Sequence, residues 1–365
     1  MNMIMRGIGL AVPPHKMTQE QAAELARDVI CRTEPQQRVL TALYRKSGVE
    51  NRHSVLPYEI ARSWLPESPT GKQADRPATL GPSTAERMRY FAECAPQLAT
   101  QAAEAAIADA QIAAAEITHI VTVSCTGFDA PGLDVALLGS LHLKPTTQRL
   151  QIGFMGCHGA INGLRAVQAI TTADPKARVL LVAAELCSLH YRFNWEPERL
   201  VANALFADGA GAVVASGDAA SALPEAWRLK ATGSCLIPDS RQAMTWRIGD
   251  HGFEMTLDAS VPELIQTHLR PWLSQWLGEH GLSVDAIGSW AIHPGGPRIL
   301  AAVEESLGLD ESATAISREV LAQFGNMSSP TVLFILDRMR TRNMPRPCVA
   351  LGFGPGLFAE AALFV

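Results

Sequence analysis

Continuous apolar segments that alternate with helix-like stretches constrain the fold of this chain more than any other feature. Residues 118–126 (THIVTVSCT) and 177–185 (ARVLLVAAE) carry apolar residues on both faces of a strand, and residues 289–293 (SWAIH) repeat the pattern in the second half. A strand that is apolar on both faces has to be covered on both faces, which is typical of a sheet layered between helices. The pattern predicts an α/β layered fold.

The remaining elements follow from periodicity and turn signals. Further strands are predicted at 4–12, 148–153, 228–236 and 252–257 and at the closing segments CVALGFG and FAEAALFV. Helices are predicted at 18–32, 35–48, 84–113, 133–142, 158–172, 261–280, 297–307 and 330–342. Residues 200–217 predict a short helix, a glycine turn and a strand, and residues 54–83, rich in Pro, Ser, Thr and Gly, predict a surface loop.

Composition excludes several classes of protein. A net charge of −5 argues against nucleic acid as the main partner of this 365-residue chain. Its seven cysteines are scattered and never form a CxxC pair, which disfavours a disulfide framework or a zinc site. This usage predicts that the protein is located in the reducing cytoplasm. No uncharged apolar run has the length needed to span a bilayer. We therefore expect a soluble cytoplasmic protein that binds neither nucleic acid nor metal.

Cys157 lies in a glycine-rich turn between a predicted strand and the helix predicted at 158–172. Free N–H groups and the dipole at a helix start favour an anion and lower the pKa of a thiol. Gly156 and Gly159 allow a tight turn and close approach of a substrate. Free cysteines are also among the most buried residues, so this segment alone leaves a core residue and a nucleophile open. The neighbouring His158 falls on the helix, which disfavours a Cys–His metal pair.

Two further residues are candidates for partners of this thiol. His293 ends a predicted strand and precedes Pro-Gly-Gly-Pro, at the strand edge where ligands collect in α/β sheets. Asn326 lies in a loop before a helix for which Ser328 or Ser329 is the predicted N-cap. Alone, each has an ordinary explanation, a satisfied turn histidine and a turn asparagine. Together, a Cys–His–Asn set activates a thiol and supplies hydrogen-bond donors to a thioester oxygen.

These segments resemble the chalcone synthase superfamily of type III polyketide synthases, within the thiolase fold. The resemblance covers nearly the whole chain and is carried by GCHGAINGLR, ALFADGAGAVV, HPGGPRIL, FGNMSSPTVLFILDRMR and GFGPGL. It implies two duplicated αβαβα layered halves, residues 1–220 with the cysteine and residues 221–365 with the histidine and asparagine. Two alternatives stay open: a ketoacyl synthase III, which shares the Cys–His–Asn set, and a non-catalytic acyl-CoA-binding protein.

The resemblance also implies roles for individual residues. Cys157 is the acyl-accepting nucleophile, with His293 and Asn326 as its partners. Phe206 and Met255 match the two gatekeeper positions between the coenzyme A tunnel and the reaction cavity, although a second phenylalanine is usual where Met255 stands. The other positions that match cavity-lining residues of the family are Cys125, Thr126, Glu185, Cys187, His190 and Ser328. The positions that match coenzyme A contacts are Arg38, Arg45, Lys46, Gly295 and Gly296.

The implied reaction is an iterative decarboxylative Claisen condensation of malonyl-CoA onto a starter acyl group held on Cys157. Cyclisation to a pyrone or to a resorcinol-type or other phenolic product follows, and an aliphatic starter is favoured. The implied ionisation is a Cys157 thiolate paired with a protonated His293. The resemblance implies a homodimer and no cofactor beyond the coenzyme A thioesters themselves.

Overall fold

The computed structural model describes residues 3–72, 75, 79–217 and 226–365. Its strands are β1 (Met3–Ala11), β2 (His15–Thr18), β3 (Asn51–Ser54), β4 (His119–Ser124), β5 (Gln148–Gly153), β6 (Arg178–Leu186), β7 (Asp208–Ser216), β8 (Arg228–Leu236), β9 (Met244–Gly249), β10 (Gly252–Leu257), β11 (Ser289–Ile292), β12 (Cys348–Gly354) and β13 (Phe358–Phe364). Its helices are α1 (Gln19–Ile30), α2 (Glu34–Arg45), α3 (Ile60–Ser63), α4 (Thr84–Asp109), α5 (Leu133–Ser140), α6 (Gly159–Ala173), α7 (Pro197–Leu205), α8 (Val261–Glu279), α9 (Pro297–Leu307), α10 (Ala315–Phe324) and α11 (Thr331–Thr341).

The long elements lie where the sequence predicts them, and the differences concern short strands and turns. The short antiparallel pair β2–β3, strand β9 and helix α10 were not predicted, and the predicted loop at 54–83 contains α3. The expected glycine turn near residue 209 is wrong, because Gly209 and Gly211 lie inside β7. A Cβ there would meet the side chains of Met327 and Leu333, so glycine lets the strand pack closely against the start of α11.

Nine of the described strands form one sheet whose order is β11-β12-β13-β8-β1-β7-β6-β4-β5. In the first half, β1 and β7 are antiparallel, β7 and β6 are antiparallel, and β6 and β4 are parallel. The second half repeats these directions in the same order: β8 and β13 are antiparallel, β13 and β12 are antiparallel, and β12 and β11 are parallel. The topology therefore carries the internal duplication implied by the thiolase resemblance, with β5 added at one edge.

The helices and strands pack into five layers around three apolar clusters. Alternate residues of β6 face opposite ways: Val179 and Leu181 join the central cluster, whereas Leu180 and Val182 pack with α4 and α5. In the second half the odd positions of β12, such as Val349, pack with α8 and α9. Helices α6 and α11 fill the central layer between both half-sheets. This is the predicted αβαβα arrangement, and it explains why the central strands are apolar on both faces.

The predicted boundary between residues 220 and 221 lies outside the described residues. Within the described chain, no helix combines the length and the apolar character that a membrane crossing requires.

Candidate active site

The three predicted catalytic residues meet where the two central helices begin. Cys157 lies in the 3₁₀ turn Gly156–His158 that leads into α6, and Asn326 lies in the loop that leads into α11. His293 follows the last residue of β11, and its N–H donates to Leu351 of β12 at 2.8 Å. The three side chains line one small pocket together with Met255, Phe353 and other residues. The fold therefore brings together residues that are up to 169 positions apart, from 157 to 326.

The turn that carries Cys157 packs against the C-terminal glycine-rich segment. A Cβ at Gly354 would collide with the ring of His158, and a Cβ at Gly156 would meet Pro355. The Nδ1 atom of His158 lies 2.7 Å from Oδ1 of Asn162, one turn further along the helix. The GFGPG segment thus supports the turn that carries Cys157, and His158 takes part in packing rather than in the pocket around the thiol.

His293 is 1% exposed, and neither of its ring nitrogens has a hydrogen-bond partner within the described chain. A buried imidazole without a partner is costly, because its polar atoms have given up water without replacing it. The ring faces the pocket that it shares with Cys157 and Asn326. An imidazole in this position can accept a proton from a thiol and can donate a hydrogen bond to the oxygen of an incoming thioester.

The carboxamide of Asn326 is oriented by its own loop. Its Oδ1 accepts a hydrogen bond from the N–H of Ser328 at 2.8 Å, which leaves the Nδ2 group free to donate elsewhere. Its backbone forms a β-bridge with Phe206. The N–H of Asn326 donates to the carbonyl of Leu205, and the carbonyl of Asn326 accepts from the N–H of Ala207, both at 2.9 Å. The predicted cap is wrong, since α11 begins at Thr331 with Pro330 at the N-cap. Ser328 instead takes a left-handed backbone (φ 60°) that makes the turn.

Burial acts against charge on both members of the Cys157–His293 pair. Removal from water raises the pKa of the Cys157 thiol to about 11, while a hydrogen bond from Ser328 acts in the opposite direction. Removal from water lowers the pKa of His293 to about 3, and neighbouring His158 lowers it further. Burial thus favours a neutral thiol beside a neutral imidazole, which is opposite to the thiolate–imidazolium pair expected from the sequence.

Glu185 is a buried carboxylate at the end of β6 that ties two loops of the site together. Its Oε2 accepts hydrogen bonds from the N–H of Cys125 (2.9 Å) and from the N–H and hydroxyl of Thr126 (3.1 and 2.7 Å). Its Oε1 accepts a 2.5 Å bond from the hydroxyl of Ser329, three residues after Asn326. Glu185 does not line the cavity, although the resemblance placed it there, because these partners enclose it completely.

The hairpin β9–β10 forms one wall of the main cavity. The Nε1 of Trp246 donates to the carbonyl of Cys125 at 2.7 Å. His190 stacks on Phe253 with ring centroids 4.2 Å apart, and its two nitrogens contact the carbonyl of Thr126 (2.7 Å) and the N–H of Phe253 (2.9 Å). Burial lowers the pKa of His190 to about 3, so the ring is neutral, with a proton on Nε2 and a lone pair on Nδ1.

Seven of the eight predicted substrate-contacting residues line the main cavity, in contact with the same space as Cys157. They are Phe206, Cys125, Thr126, Cys187, His190, Met255 and Ser328. Phe206 and Met255 also line a small adjoining pocket that reaches Gly295, and Met255 and Gly295 line a second one together with Cys157. They therefore lie at a neck between the main cavity and the segment Gly295–Pro297, which is the placement expected of gatekeeper residues.

The residues predicted to contact coenzyme A separate into two groups. Gly295 lines the pockets at the neck, and Gly48, two residues after Lys46, packs closely on Pro297. Lys46 itself is exposed. Arg38 and Arg45 instead line a surface groove between α1 and α2 that shares no lining residue with the cavity, and Arg38 pairs with Glu34 at 3.6 Å. Gly295 and Gly296 lie at the neck, close to the segment that follows Lys46, whereas the two arginines line the separate groove.

Trp246 and Phe253 are cavity residues that the sequence analysis missed. Their strands pair around Asp250 and His251, a short turn between two segments with aromatic and β-branched residues. That hairpin signal was available, but β9 was not recognised as a strand. Within the described chain, no group of three or more His, Cys, Asp or Glu side chains is arranged to hold a metal ion.

Comparison with known proteins identifies the family. Family models for the N-terminal and C-terminal domains of chalcone and stilbene synthases match residues 2–219 and 228–365. The chain belongs to the chalcone and stilbene synthase family. It is a type III polyketide synthase with an α/β thiolase-type fold, as the resemblance predicted, and an enzyme of the acyltransferase type. The ketoacyl synthase III alternative is thereby set aside.

Individual relatives support this assignment over nearly the full length. The 1,3,6,8-tetrahydroxynaphthalene synthase of Streptomyces peucetius subsp. caesius is 35% identical over 97% of this chain and 90% of its own length. The alpha-pyrone synthesis polyketide synthase-like Pks18 of Mycobacterium tuberculosis is 30% identical over 99% of this chain and 90% of its own. The crystal structure of PKS-I from the brown alga Ectocarpus siliculosus superposes with a TM-score of 0.91 at 30% identity, covering 100% and 98% of the two chains.

The substitution Glu185→Gln tests the role of the buried carboxylate. Glutamine keeps the shape but turns an NH2 group toward N–H and O–H donors, so at least one of them loses its acceptor. We expect the free energy of unfolding to fall by about 1–3 kcal/mol in urea denaturation. Glu93→Gln, an exposed site on α4, is the control and stays within error. Equal stability of the two variants would contradict the role given to Glu185.

Proposed function

We propose that this enzyme builds a polyketide on Cys157 by repeated decarboxylative condensation of malonyl-CoA with a starter acyl-CoA. The observation that carries the proposal is the buried imidazole of His293, which has no hydrogen-bond partner within the described chain and shares a pocket with Cys157 and Asn326. The division into residues 1–220, which supply the nucleophile, and 221–365, which supply His293 and Asn326, is part of the same proposal.

Acyl transfer to Cys157 is the first step. The sulfur attacks the thioester carbonyl of the starter, and the thiol proton passes to the imidazole of His293 as the C–S bond forms. Because burial lowers the pKa of His293 to about 3, the imidazole is unprotonated at neutral pH, and its free lone pair can take the proton only in concert with C–S bond formation. The oxyanion collapses, and coenzyme A leaves as a thiol after taking up the proton.

Carbon–carbon bond formation follows on the same residues. Malonyl-CoA loses carbon dioxide, and the electron pair of the broken bond forms an enolate on the thioester. The Nδ2 group of Asn326 and an N–H of His293 donate to the enolate oxygen, a type of stabilisation whose loss costs roughly 100–1000-fold in rate. The enolate carbon then attacks the acyl group, the C–S bond to Cys157 breaks, and the lengthened chain remains on coenzyme A for another round.

The products we propose are pyrones or resorcinol-type and other phenolic rings. The relatives fit both outcomes, since one is named a tetrahydroxynaphthalene synthase and another an alpha-pyrone synthesis enzyme. We propose no cofactor beyond the coenzyme A thioesters, because each step above uses only Cys157, His293 and Asn326. A cytoplasmic location remains a prediction, in keeping with seven cysteines of which none forms a disulfide within the described chain.

A homodimer is the oligomeric state that we propose. Three large apolar side chains around α5 and β5 are exposed: Phe128 (52%), Val135 (39%) and Leu150 (43%). Strand β5 is also a sheet edge. A second copy of the chain would cover this apolar edge. Sedimentation analysis tests the proposal, and a monomer at micromolar concentration would contradict it.

Replacement of the nucleophile tests the function directly. We expect Cys157→Ala to form no polyketide from malonyl-CoA and an acyl-CoA, whereas the wild-type enzyme, without any carrier protein, yields products that contain several malonyl units. Mass spectrometry of products from isotopically labelled malonyl-CoA measures both. Cys235→Ala is the matched control because Cys235 lies outside the cavity. Polyketide formation by Cys157→Ala would assign the nucleophile elsewhere, and a product with one malonyl unit would point to a single condensation.

The pH dependence of Cys157 alkylation tests the proton acceptor. Burial raises the pKa of the Cys157 thiol to about 11, and in His293→Gln the thiol has to ionise before it reacts because no imidazole receives its proton. Below that pKa the thiolate fraction rises about tenfold per pH unit, and iodoacetamide labelling of Cys157 should follow it. In the wild-type enzyme the proton passes to His293 as the sulfur–carbon bond forms, so labelling does not require the free thiolate and should depend much less steeply on pH. Identical pH profiles of the two proteins, read by peptide mass spectrometry, would remove His293 from this role.

Lys46 is the cation that we propose for the coenzyme A phosphates. Its segment packs on Pro297, beside the neck, whereas Arg38 lies in the separate groove. We expect Lys46→Ala to raise the KM for malonyl-CoA severalfold with little change in kcat, and the effect to shrink at high salt. Arg38→Ala is the matched control on the same helix. A larger KM effect for Arg38→Ala would reverse the assignment.

A further inference from the structure

Three charged side chains, here called the Glu254 bracket, fasten the β9–β10 hairpin beside the neck. Oε1 of Glu254 lies 2.9 Å from Nη2 of Arg192, and its Oε2 accepts a hydrogen bond from Nη1 of Arg199 at 3.0 Å. Burial raises the pKa of the Glu254 carboxyl, but the hydrogen bonds and charges of the two arginines outweigh burial and hold that pKa below its usual value. Glu254 is therefore a carboxylate at neutral pH, with a separate guanidinium on each oxygen.

Both arginines of the bracket are attached to α7. Arg199 lies in the first turn of this helix, and its Nε is 2.9 Å from Oε2 of Glu196 at the N-cap. Arg192 precedes the helix and is bound to the side chain of Asn203, which lies in the last turn. The N–H of Arg192 donates to Oδ1 of Asn203 at 3.0 Å, and its carbonyl accepts from Nδ2 at 2.9 Å. The bracket therefore connects the hairpin to α7.

Helix α7 and strand β10 supply the two sides of the neck. The residues of the α7 segment that line the main cavity recur at the spacing of one helix face and are Arg199, Ala202, Asn203 and Phe206. On β10, Phe253 and Met255 line the same cavity, and Glu254 lies between them on the opposite face of the strand. Arg199, Phe206 and Met255 also share the small pocket that reaches Gly295. The bracket thus joins the two elements whose side chains form the neck.

We propose that Glu254 is a positioning residue that, through Arg192 and Arg199, holds Met255 beside Phe206 and keeps water out of the neck while the enolate forms. This inference rests on the proposed function. An enolate that meets water takes a proton from it and leaves as acetyl-CoA and hydroxide, so carbon dioxide is lost without extension of the chain. A closed neck leaves attack on the acyl group of Cys157 as the faster reaction.

The other polar contacts of the hairpin do not reach α7. The N–H of Gly252 donates to Oγ1 of Thr84 at 2.8 Å, at the start of α4. Arg247 lies opposite Glu254 in the hairpin but donates to Gln242 at 3.0 Å. These contacts hold the hairpin without fixing its distance from Phe206.

The burial of Arg192 makes the charge of Glu254 necessary. The side chain of Arg192 is 7% exposed and lines the main cavity. Loss of the carboxylate would leave this guanidinium without its counter-ion, and a buried ion in that state is strongly destabilising unless water reaches it. We therefore expect a neutral residue at position 254 to loosen the neck and to draw water into the cavity.

The experiment measures how decarboxylated malonyl units divide between polyketide and acetyl-CoA. The enzyme is supplied with isotopically labelled malonyl-CoA and an excess of unlabelled hexanoyl-CoA, and mass spectrometry quantifies the label in both products. Glu254→Gln keeps the shape of the side chain but removes its charge, and we expect the acetyl-CoA share to rise severalfold. This share does not depend on how much of the protein is folded. Arg199→Met, which leaves the pair with Arg192 intact, should raise it less and serves if Glu254→Gln does not fold.

Glu319→Gln is the matched control. The carboxylate of Glu319 also lies between two arginines, 3.5 Å from Nη1 of Arg338 and 2.6 Å from Nη2 of Arg342. Its side chain is 39% exposed, against 34% for Glu254, and it does not line the cavity. We expect Glu319→Gln to leave the acetyl-CoA share unchanged.

Each outcome points to one conclusion. An unchanged acetyl-CoA share in folded Glu254→Gln would overturn the proposal, as would an equal rise in Glu319→Gln. Slower turnover of Glu254→Gln at an unchanged share would assign Glu254 to stability alone and would also overturn it. Failure of the proposed function gives a different result, because the wild-type enzyme would then form no labelled polyketide.

Discussion

The hydrogen bonds of one buried carboxylate hold the active-site loops in register. Glu185 is the penultimate residue of β6, and its two oxygens bind the segment after β4 on one side and Ser329 on the other. Burial raises the pKa of Glu185, while hydrogen bonds from Ser329, Cys125 and Thr126 lower it. A carboxyl group buried without such partners would be strongly destabilising. The position of Asn326, three residues before Ser329, follows from this arrangement.

The burial of the site away from solvent governs its chemistry. Cys157, His293 and Asn326 are each less than a tenth exposed, and burial opposes charge on the first two. Charge that forms during the reaction is then stabilised mainly by the few donors that face it, because little water competes with them. A pocket of this kind protects an enolate next to Asn326 and His293 from protonation by solvent. The neutral resting pair is consistent with proton transfer that accompanies sulfur attack.

The elements that shape the cavity differ from those that hold the candidate catalytic residues. The central helices α6 and α11 begin beside Cys157 and Asn326, the proposed reacting groups, whereas the β9–β10 hairpin and the N-terminal helices shape the space around them. The hairpin is fastened to the loop of Cys125 and Thr126 through Trp246 and His190. A change in the hairpin or in α3 can therefore alter the cavity without moving Cys157, which allows a family with one mechanism to form different products.

The sequence by itself determined the layered α/β fold, the positions of Cys157, His293 and Asn326 relative to their strands and helices, and the family. Those features depend on local patterns: apolar strands, glycine turns and short motifs. Only the tertiary structure decided that Glu185 lies behind the cavity wall, that Gly209 belongs to a strand, and that Arg38 is remote from the neck. These depend on packing between segments far apart in the chain, such as Met327 against β7, which local patterns do not encode.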